Sequence, residues 1–393
     1  TLLLMGLVSL NYLYEFRRLG KTLAVLLLTL LMSGLALTES RTGILSFFLL
    51  SVWWLVKRRT VAFTVPPLVI LSSGLGLIFL LWAWPQVFAF VHSGGFSDGA
   101  NAEPVSTSAG ARFIVWPQLV EAILQRPWFG WGLGQVTAAH NAVLHSYSHS
   151  EPFSYAHNIL LDLAVGAGLP LALLLTAAMA YWLWKRVQKV QNLATWSCLA
   201  FALPLGVHSM LEYPFAYGYL LAPAVFALGL LEGALASRHV LHLAWRAAAT
   251  TMVVATALMV WSVFEYLAIE DDFRVARFEA MRVGETPADY VRPRIFLLTQ
   301  LSALVEDARI TPVPGMSADQ IELTRKAALR FPWTATQNRY ALTLALNGNP
   351  QEAVRQLKVI RAMHGEKHYE RLKDSWHELA ETRYSQLAEL PMP

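Results

Sequence analysis

The sequence predicts an all-α protein: a polytopic inner-membrane helical bundle with a large periplasmic loop and a C-terminal periplasmic helical domain. Hydrophobic residues make up 55% of the chain and charged residues only 15%, whereas a soluble domain carries about 25% charged residues. Most of the charged residues lie beyond residue 265, and the chain before that point consists largely of apolar runs. The front of the chain is therefore predicted to span a membrane and the rear to be soluble.

Long apolar runs define the predicted spans. Most of them approach the length of about 20 residues that a spanning helix needs, and they lie at about 1–16, 22–38, 43–56, 60–84, 157–184, 193–211, 217–235 and 247–264. Trp53 and Trp54, near the end of the short third run, are typical of the aromatic belt at a membrane interface. Because Thr1 already lies inside an apolar run, we expect the chain to be the C-terminal part of a longer protein.

The basic residues between the spans predict the orientation of the bundle. Eleven of them occupy alternate loops, namely Arg17, Arg18, Lys21, Lys57, Arg58, Arg59, Lys185, Arg186, Lys189, Arg238 and Arg246. The intervening loops contain three, Arg41, Arg112 and Arg126. Lys and Arg accumulate in cytoplasmic loops, so the periplasmic face is predicted to receive 38–42, 85–156, 211–217 and the tail from 265.

The large loop 85–156 is predicted to contain three kinds of segment. Small polar residues over 92–110 predict a flexible stretch. The segment ARFIVWPQLVEAIL (111–124) has helical apolar spacing despite its proline. The Gly- and Trp-rich segment RPWFGWGLGQV (126–136) suits a close-packed turn.

The tail has the pattern of short helical hairpins that follow a charged connector. Ser317 and Gln320 have the spacing of a capping box, and helices are predicted up to Phe331, near 335–347 and 350–363, and in an amphipathic stretch to about 388. Such helix pairs are typical of tetratricopeptide-like modules. The predicted domains are transmembrane helices over 1–84, a large periplasmic loop over 85–156, transmembrane helices over 157–264 and a periplasmic tetratricopeptide-like domain over 265–393.

Four histidines in the segment 139–158 raise the question of a metal site. A helix would bring His145 and His149 onto one face, but the chain has no HExxH motif and its single cysteine lies elsewhere, in an apolar run. We therefore expect no metal and no cofactor, and interpret His140, His145 and His149 as polar loop residues.

His157 differs because it precedes an apolar run, so that His157 and Asn158 are predicted to lie at the outer end of a spanning helix. Asn158 can cap that helix, and the N–H groups of the first turn favour an anionic ligand such as a headgroup phosphate. Position alone leaves two interpretations of His157 open. It is either a general base or a polar residue of the interface.

Five further side chains near the predicted periplasmic face are candidates for a site. Arg41 is either a snorkelling anchor or a phosphate ligand, to which a guanidinium is well suited. Arg112 and Arg126 are the basic residues of an otherwise basic-poor loop, so at least one phosphate contact is predicted there. Glu212 lies at the end of a span and needs a partner, for which outward arginines are predicted. Asp162 is predicted to orient a neighbour or to pair with an arginine.

Four stretches resemble the bacterial PglL-type O-oligosaccharyltransferases, within the superfamily of O-antigen ligases and Wzy-type polymerases. They are TESRTG, ARFIVWPQLVEAILQRPWFGWGLGQ, AHNILLDLAVGAGLP and HSMLEYPFAYGYLLAP. The tail segment RYALTLALNGNPQEAVRQLKVIRAMHG is similar to the C-terminal domain of the PglL branch. The stretches occur in the same order as in that family, although several N-terminal spans expected there are missing here.

This resemblance implies transfer of a preassembled glycan from undecaprenyl diphosphate to a Ser or Thr hydroxyl of a periplasmic protein such as a pilin, without a metal. It places the essential histidine at His157, the diphosphate-binding arginines at Arg41 and Arg112, and the functional tyrosine of the branch at Tyr213. The implied partners are the lipid-linked glycan, the acceptor protein and membrane lipids, with no nucleic acid.

Two other functions remain open from the sequence. An O-antigen ligase would transfer the glycan to lipid A–core, but helical-repeat tails are typical of proteins that dock other proteins. A non-catalytic transporter or scaffold for lipid-linked glycans would be expected to carry charged residues in mid-span, whereas the spans here are almost free of them.

Overall fold

A computed structural model describes residues 1–93, 108–235 and 244–393, and these ranges contain helices and no strand, which confirms the all-α class. The predicted flexible stretch 92–110 lies largely outside the described residues. The helices are α1 (Leu2–Glu15), α2 (Lys21–Leu37), α3 (Arg41–Val61), α4 (Pro67–Ser93), α5 (Ser108–Gln125), α6 (Val136–Leu144), α7 (Ile159–Ala167), α8 (Leu169–Lys189), α9 (Leu193–Ser209), α10 (Gly218–Ala234), α11 (Trp245–Met281), α12 (Thr299–Ala308), α13 (Ala318–Arg330), α14 (Thr334–Leu346), α15 (Pro350–His364) and α16 (Glu366–Thr382), with one-turn 3-10 helices at Pro214–Ala216 and Ser385–Glu389.

Every predicted span contains a helix, but one prediction about their extent is wrong. Within the described residues, Pro67–Phe88 and Trp245–Met281 are long and apolar enough to cross a membrane, and α1, α2, α9 and α10 are shorter apolar helices. The run 157–184 is two helices, because Gly168 has a φ of +80° and ends α7. The charged connector predicted beyond residue 264 begins inside α11, which continues to Met281 in a segment without Gly or Pro.

The described residues form two compact units. The first comprises the described parts of Thr1–Thr107 and Leu171–Leu241 together with His157–Leu161, and the second comprises Ser108–Ala156, Asp162–Pro170 and the described part of His242–Pro393.

The core of the first unit is an apolar cluster in which tryptophans pack between helices. Trp53 contacts Trp196 with ring centroids 5.6 Å apart, and Phe63 stacks on Trp54 at 4.8 Å. Leu4, from α1, lies in the same buried cluster and is 1% exposed. These contacts join α1, α3 and α9.

The two ends of the first unit differ in charge because its neighbouring helices run antiparallel. At one end, the Glu15 carboxylate accepts hydrogen bonds from the N–H groups of Thr64 and Val65, and Lys57 Nζ donates to Val190 O at 3.2 Å. The ends of α1, α3 and α8 therefore meet there, with the predicted cytoplasmic basic loops. Helices α3 and α9 each continue about 18–20 Å away from the Trp53–Trp196 contact, which places Arg41 and Ser209 together at the opposite end.

The second unit joins the large loop to the C-terminal helices. Asn141 of α6 and Gln356 of α15 exchange amide hydrogen bonds of 3.1 and 3.2 Å, and Ser150 N donates to Ala362 O at 2.7 Å. Leu144 is completely buried against α15. The large loop therefore shares its core with the tail.

The tail consists of successive antiparallel helices. The predicted capping box is confirmed, since Ser317 Oγ accepts from Gln320 N and Gln320 Oε1 accepts from Ser317 N. Helices α13 to α16 pack in sequence order around a core that includes Tyr340, Leu357 and Trp376. Their relation to tetratricopeptide repeats stays a prediction.

Candidate active site

His157 lies in a tight turn that starts α7. The side-chain oxygen of Asn158 accepts hydrogen bonds from Leu160 N at 2.9 Å and Leu161 N at 3.2 Å, which confirms the predicted cap. His157 itself has a φ of +53°. A left-handed conformation costs a residue with a Cβ about 1–2 kcal/mol, so the fold holds this histidine in an unfavourable backbone geometry. Strain of this kind is concentrated at functional sites.

The imidazole of His157 is held by a carboxylate. Its Nδ1 lies 2.6 Å from Oε2 of Glu212, and the two side chains are 17% and 26% exposed, so the pair remains accessible to a ligand. In the neutral tautomer that donates from Nδ1, the basic nitrogen is Nε2. Glu212 was predicted to find its partner among the outward arginines, whereas the structure places its carboxylate against His157.

Tyrosines surround this pair on one side. The ring of Tyr213 contacts His157 edge-on, with centroids 4.7 Å apart and an angle of 77°. Tyr217 stacks on Tyr213 at 5.7 Å, and Tyr219 lies 5.6 Å from Tyr217. Tyr213 was predicted as a site residue, whereas Tyr217 and Tyr219 were not. The repeated tyrosines of YPFAYGY indicated an aromatic cluster at this position.

Arg41 begins α3, whose N-terminus is capped by Ser40 through a hydrogen bond from Gly43 N at 3.1 Å. The side chain of Arg41 is exposed. It lies at the end of the first unit where α9 ends at Ser209, and Glu212 follows directly after that helix. The first unit thus brings Arg41, His157, Asn158, Glu212 and Tyr213 to one end. This end is opposite the basic loops.

The remaining predicted site residues belong to the second unit. Arg112 is half-buried on α5, and Arg126 is exposed with its guanidinium 4.1 Å above the ring of Trp131. Asp162 accepts a hydrogen bond from Ala156 N at 3.1 Å, while Trp116 Nε1 donates to Ala156 O at 2.8 Å. Asp162 therefore orients a neighbour, as predicted, by fixing the residue that precedes His157.

The glycine-rich segment 126–136 packs against the break between α7 and α8, which confirms the predicted close-packed turn. Trp131 N donates to Val165 O at 2.7 Å and Leu169 N donates to Pro127 O at 2.7 Å. A Cβ on Gly130 would lie 2.5 Å from Val165 O, and one on Gly168 would lie 2.4 Å from Trp128 O. Only glycine fits at these two positions.

The interpretation of His140 as a polar loop residue is wrong. It lies in α6 and is completely buried, with Nε2 2.8 Å from Gln118 Oε1 and 3.0 Å from Ser150 Oγ. The segment VTAAHNAVL has the apolar spacing of a helix and forms α6. The polar residues around it led to the prediction of a loop. Burial lowers the pKa of His140 to about 4.

His145 and His149 are exposed, as expected of polar residues at a helix end and in a loop. Among the described residues, no three His, Cys, Asp or Glu side chains come together as a metal site.

The sequence matches two families along most of its length. The family described as "O-Antigen ligase" matches residues 23–176, and the family described as "Virulence factor membrane-bound polymerase, C-terminal" matches residues 196–378. A relative from Acinetobacter baylyi (strain ATCC 33305 / BD413 / ADP1), the "General O-oligosaccharyltransferase", is 22% identical over 93% of this chain and 64% of its own length. The "ComP-specific O-oligosaccharyltransferase" of the same strain is 28% identical over 59% of this chain and 42% of its own length.

The chain belongs to the PglL-type O-oligosaccharyltransferases of the O-antigen ligase superfamily. It spans less than two thirds of the length of either of these curated relatives. No solved structure matches it. Within this PglL-type chain, the first matched family covers Arg41, Arg112 and His157, and the second covers Glu212 and Tyr213. Family membership and the two long apolar helices make it a membrane protein.

Proposed function

We propose that this protein transfers a preassembled oligosaccharide en bloc from undecaprenyl diphosphate to a Ser or Thr hydroxyl of a periplasmic protein such as a pilin. The observation that carries the proposal is the His157–Glu212 pair, 2.6 Å apart, with Tyr213 against the imidazole. Both relatives are O-oligosaccharyltransferases by name, which supports transfer of a glycan to a protein acceptor. The segregation of basic loops to the other end of the first unit supports a periplasmic site in the inner membrane.

The proposed reaction needs a base because a hydroxyl is a poor nucleophile at neutral pH. Nε2 of His157 accepts the proton of the acceptor hydroxyl as its oxygen forms a bond to the anomeric carbon of the first sugar. The bond from that carbon to the diphosphate oxygen breaks, and undecaprenyl diphosphate leaves with the electron pair. Glu212 holds Nδ1 and stabilises the imidazolium that forms, as the carboxylate of a catalytic triad does.

Charge on the leaving diphosphate is the second chemical problem. In this proposal Arg41 and Arg112 bind the diphosphate oxygens and stabilise the charge that develops there, so that no metal is needed. The N-terminus of α7, which Asn158 caps, places the positive end of a helix dipole beside His157. Arg126 and Asp162 are supporting residues, and Tyr213 positions the acceptor or the first sugar.

The test compares His157→Asn with the native protein in cells that supply a lipid-linked glycan and a candidate pilin. Asn tolerates a left-handed backbone, so the variant is expected to fold while lacking the base. A general base increases the rate of a reaction about 10²–10⁴-fold. We therefore expect the rate of acceptor glycosylation, followed by mass spectrometry, to fall at least about 10²-fold. His145→Asn, at an exposed histidine outside the site, is the matched control.

Four results would contradict parts of this proposal. Unchanged glycosylation in His157→Asn would remove the catalytic histidine. Unchanged transfer and undiminished donor binding in Arg41→Ala would contradict the phosphate role of Arg41. Glycan on lipid A–core but never on protein would favour an O-antigen ligase, the function named by the family that matches residues 23–176. Donor binding without transfer to either acceptor would favour the transporter or scaffold.

A further inference from the structure

The second unit contains a cavity that the proposed reaction does not use. It has a volume of about 770 Å³ and lies between α6, α12, α13 and α15, with the glycine-rich segment 126–136 at one side. Sites for small molecules have volumes of about 300–1,000 Å³ and carry a few convergent polar groups. This cavity therefore has the dimensions of a binding site.

The lining of the cavity is strongly basic. It contains five cationic side chains and a single carboxylate, Glu352; the cationic residues are Arg126, Arg325, Lys326, Arg330 and Arg355. Two of the five are already neutralised, since Arg355 lies 2.6 Å from Glu352 and Arg325 lies 2.6 Å from Glu322. The positive charge that remains comes from the other three.

These three cations have weak or neutral partners. Arg330 donates to Gln300 Oε1 at 2.8 Å and to Gly134 O at 3.1 Å, and within the described parts of the chain it has no acidic partner. Lys326 Nζ lies 3.8 Å from Oε1 of Glu322, and its side chain is 65% exposed. Arg126 lies above Trp131. An anion entering the cavity would find the guanidinium groups of Arg126 and Arg330, which have no carboxylate partner among the described residues, and an ammonium group that is held by one long contact to Glu322.

The neutral part of the lining is suited to sugar hydroxyls. Gln135 and Gln300 lie on the walls, and the reciprocal Asn141–Gln356 amide pair lies within the lining. Each amide carries both a donor and an acceptor, as each hydroxyl of a sugar does. Trp131 adds an aromatic ring.

The apolar lining does not resemble a peptide-binding groove. It consists of Ala138, Ala142, Ala303 and Ala327 with Leu323 and Leu329, besides the aromatic rings of Trp131 and Tyr340. Two common modes of peptide recognition use an apolar groove for large side chains or a free strand edge, and the described residues contain no strand. The basic side chains alone would also suit an acidic peptide, so it is the amide groups of the lining that favour a hydroxyl-rich anion.

We propose that this cavity binds an acidic oligosaccharide, whose carboxylate pairs with Arg330 and Lys326 and whose hydroxyls bond to Gln135 and Gln300. The identity of its natural ligand, the glycan that is transferred, rests on the proposed function. The binding itself does not, because, of the residues assigned to the reaction, the supporting Arg126 alone lines the cavity, and the proposed contacts do not include it. The protein would then be selective for glycans that carry a uronic acid or a similar sugar.

The test measures binding of tri-galacturonic acid and of neutral maltotriose to the detergent-solubilised protein by titration calorimetry at low salt. The acidic probe should bind saturably and at least tenfold more tightly than maltotriose, and added salt should weaken it because charges are screened. Arg330→Gln and Lys326→Gln should each raise the dissociation constant about tenfold, whereas Arg330→Lys should retain part of the affinity. Lys326 is exposed, so its variant is expected to fold.

Two controls separate this proposal from others. Arg371→Gln removes the same charge from an exposed position on α16 outside the cavity and should leave binding unchanged. His157→Asn should also bind the acidic probe normally, even though transfer is lost. Absence of saturable binding, or an equal loss in Arg371→Gln, would overturn the proposal. So would a hexaglutamate peptide that binds through Arg330 and Lys326 more tightly than the sugar.

Discussion

At the scale of single residues, the proposed reaction depends on the contact between His157 and Glu212, whose side chains lie 2.6 Å apart. His157 was identifiable because a histidine precedes an apolar run, and Glu212 because a carboxylate at a span end needs a partner. Their hydrogen bond joins residues 55 positions apart, and such a pairing depends on how the turn before α7 meets the segment after α9. The left-handed backbone of His157 has no signature in AHN either, since the residue that usually marks this conformation is glycine.

The pair leads to a prediction for Glu212→Gln. The amide keeps the shape of the side chain but cannot stabilise an imidazolium, and it can bond to the wrong tautomer. We expect kcat to fall about 10²-fold or more while KM for the lipid-linked donor stays within about threefold. Steady-state glycosylation of the acceptor measures both constants. Glu39→Gln, an exposed carboxylate close to Arg41 in the sequence, is the control, and an equal loss there would contradict the positioning role.

His140 gives a prediction about pH and stability. Its Nδ1 has no hydrogen-bond partner among the described residues, so protonation would bury a second N–H without an acceptor. Burial lowers the folded-state pKa from 6.5 to about 4. Between these values the unfolded chain binds a proton that the folded chain does not, and stability therefore falls as the pH falls from 6.5 towards 4.

The expected loss at pH 5 is at most about 2 kcal/mol. Thermal unfolding of the second unit, followed between pH 7 and 4.5, should show this dependence in the native protein and less of it in His140→Gln. His149→Gln, at an exposed histidine, should keep the native dependence. Identical pH profiles for all three proteins would show that His140 is not the group responsible.

At the scale of elements, hydropathy predicted that helices exist and failed on where one of them breaks. The run 157–184 reads as a single span because composition reports only that a segment is apolar. Its break at Gly168 depends on a close approach of the segment 126–136, whose N–H groups bond to carbonyls of α7. The continuation of α11 to Met281 shows a different limit of hydropathy. The apolar run ends near residue 264, whereas the helix continues because nothing in the charged segment that follows interrupts it.

The glycine contacts predict a graded series of alanine substitutions. Gly134→Ala meets no atom within 4 Å and should cost about 1 kcal/mol, which is the backbone term for its φ of +70°. Gly130→Ala and Gly168→Ala add collisions with backbone atoms at 2.5 and 2.4 Å, so each should cost several kcal/mol. Gly206→Ala lies in α9 with open space around it and should be neutral or stabilising by up to about 1 kcal/mol.

Melting temperatures of the purified variants check this order. If Gly130→Ala and Gly134→Ala had the same melting temperature, the close approach of the two segments would not be a structural requirement. If Gly168→Ala lost its transfer activity at a temperature at which the variant remains folded, the turn would also position His157.

At the scale of the whole molecule, the sequence separated a large loop from a C-terminal domain, and the structure packs them into one unit. The charged tail and the mixed loop differ in composition, so a boundary between them was the natural expectation. The contact that joins them, between Asn141 and Gln356, spans 215 residues. Gln356 lies in the tail segment that resembles the PglL branch, but nothing in the sequence marks either residue as a buried contact, since both are polar residues of the kind that usually faces water.

This buried amide pair predicts that the loop and the tail unfold together. Gln356→Ala leaves the Asn141 amide buried without its partner and should cost about 1–3 kcal/mol. Asn141→Ala should cost less, because Gln356 Nε2 keeps its bond to Glu352 at 2.9 Å. The double variant should lose less stability than the sum of the two single losses, with a difference of about 0.5–3 kcal/mol.

Hydrogen exchange then decides whether the unit is cooperative. In Gln356→Ala the amides of α6 and of α15 should lose the same free energy of protection, since both exchange through one opening. If α15 lost protection while α6 kept it, the large loop would be an independently stable element, and its dependence on the tail would be disproved.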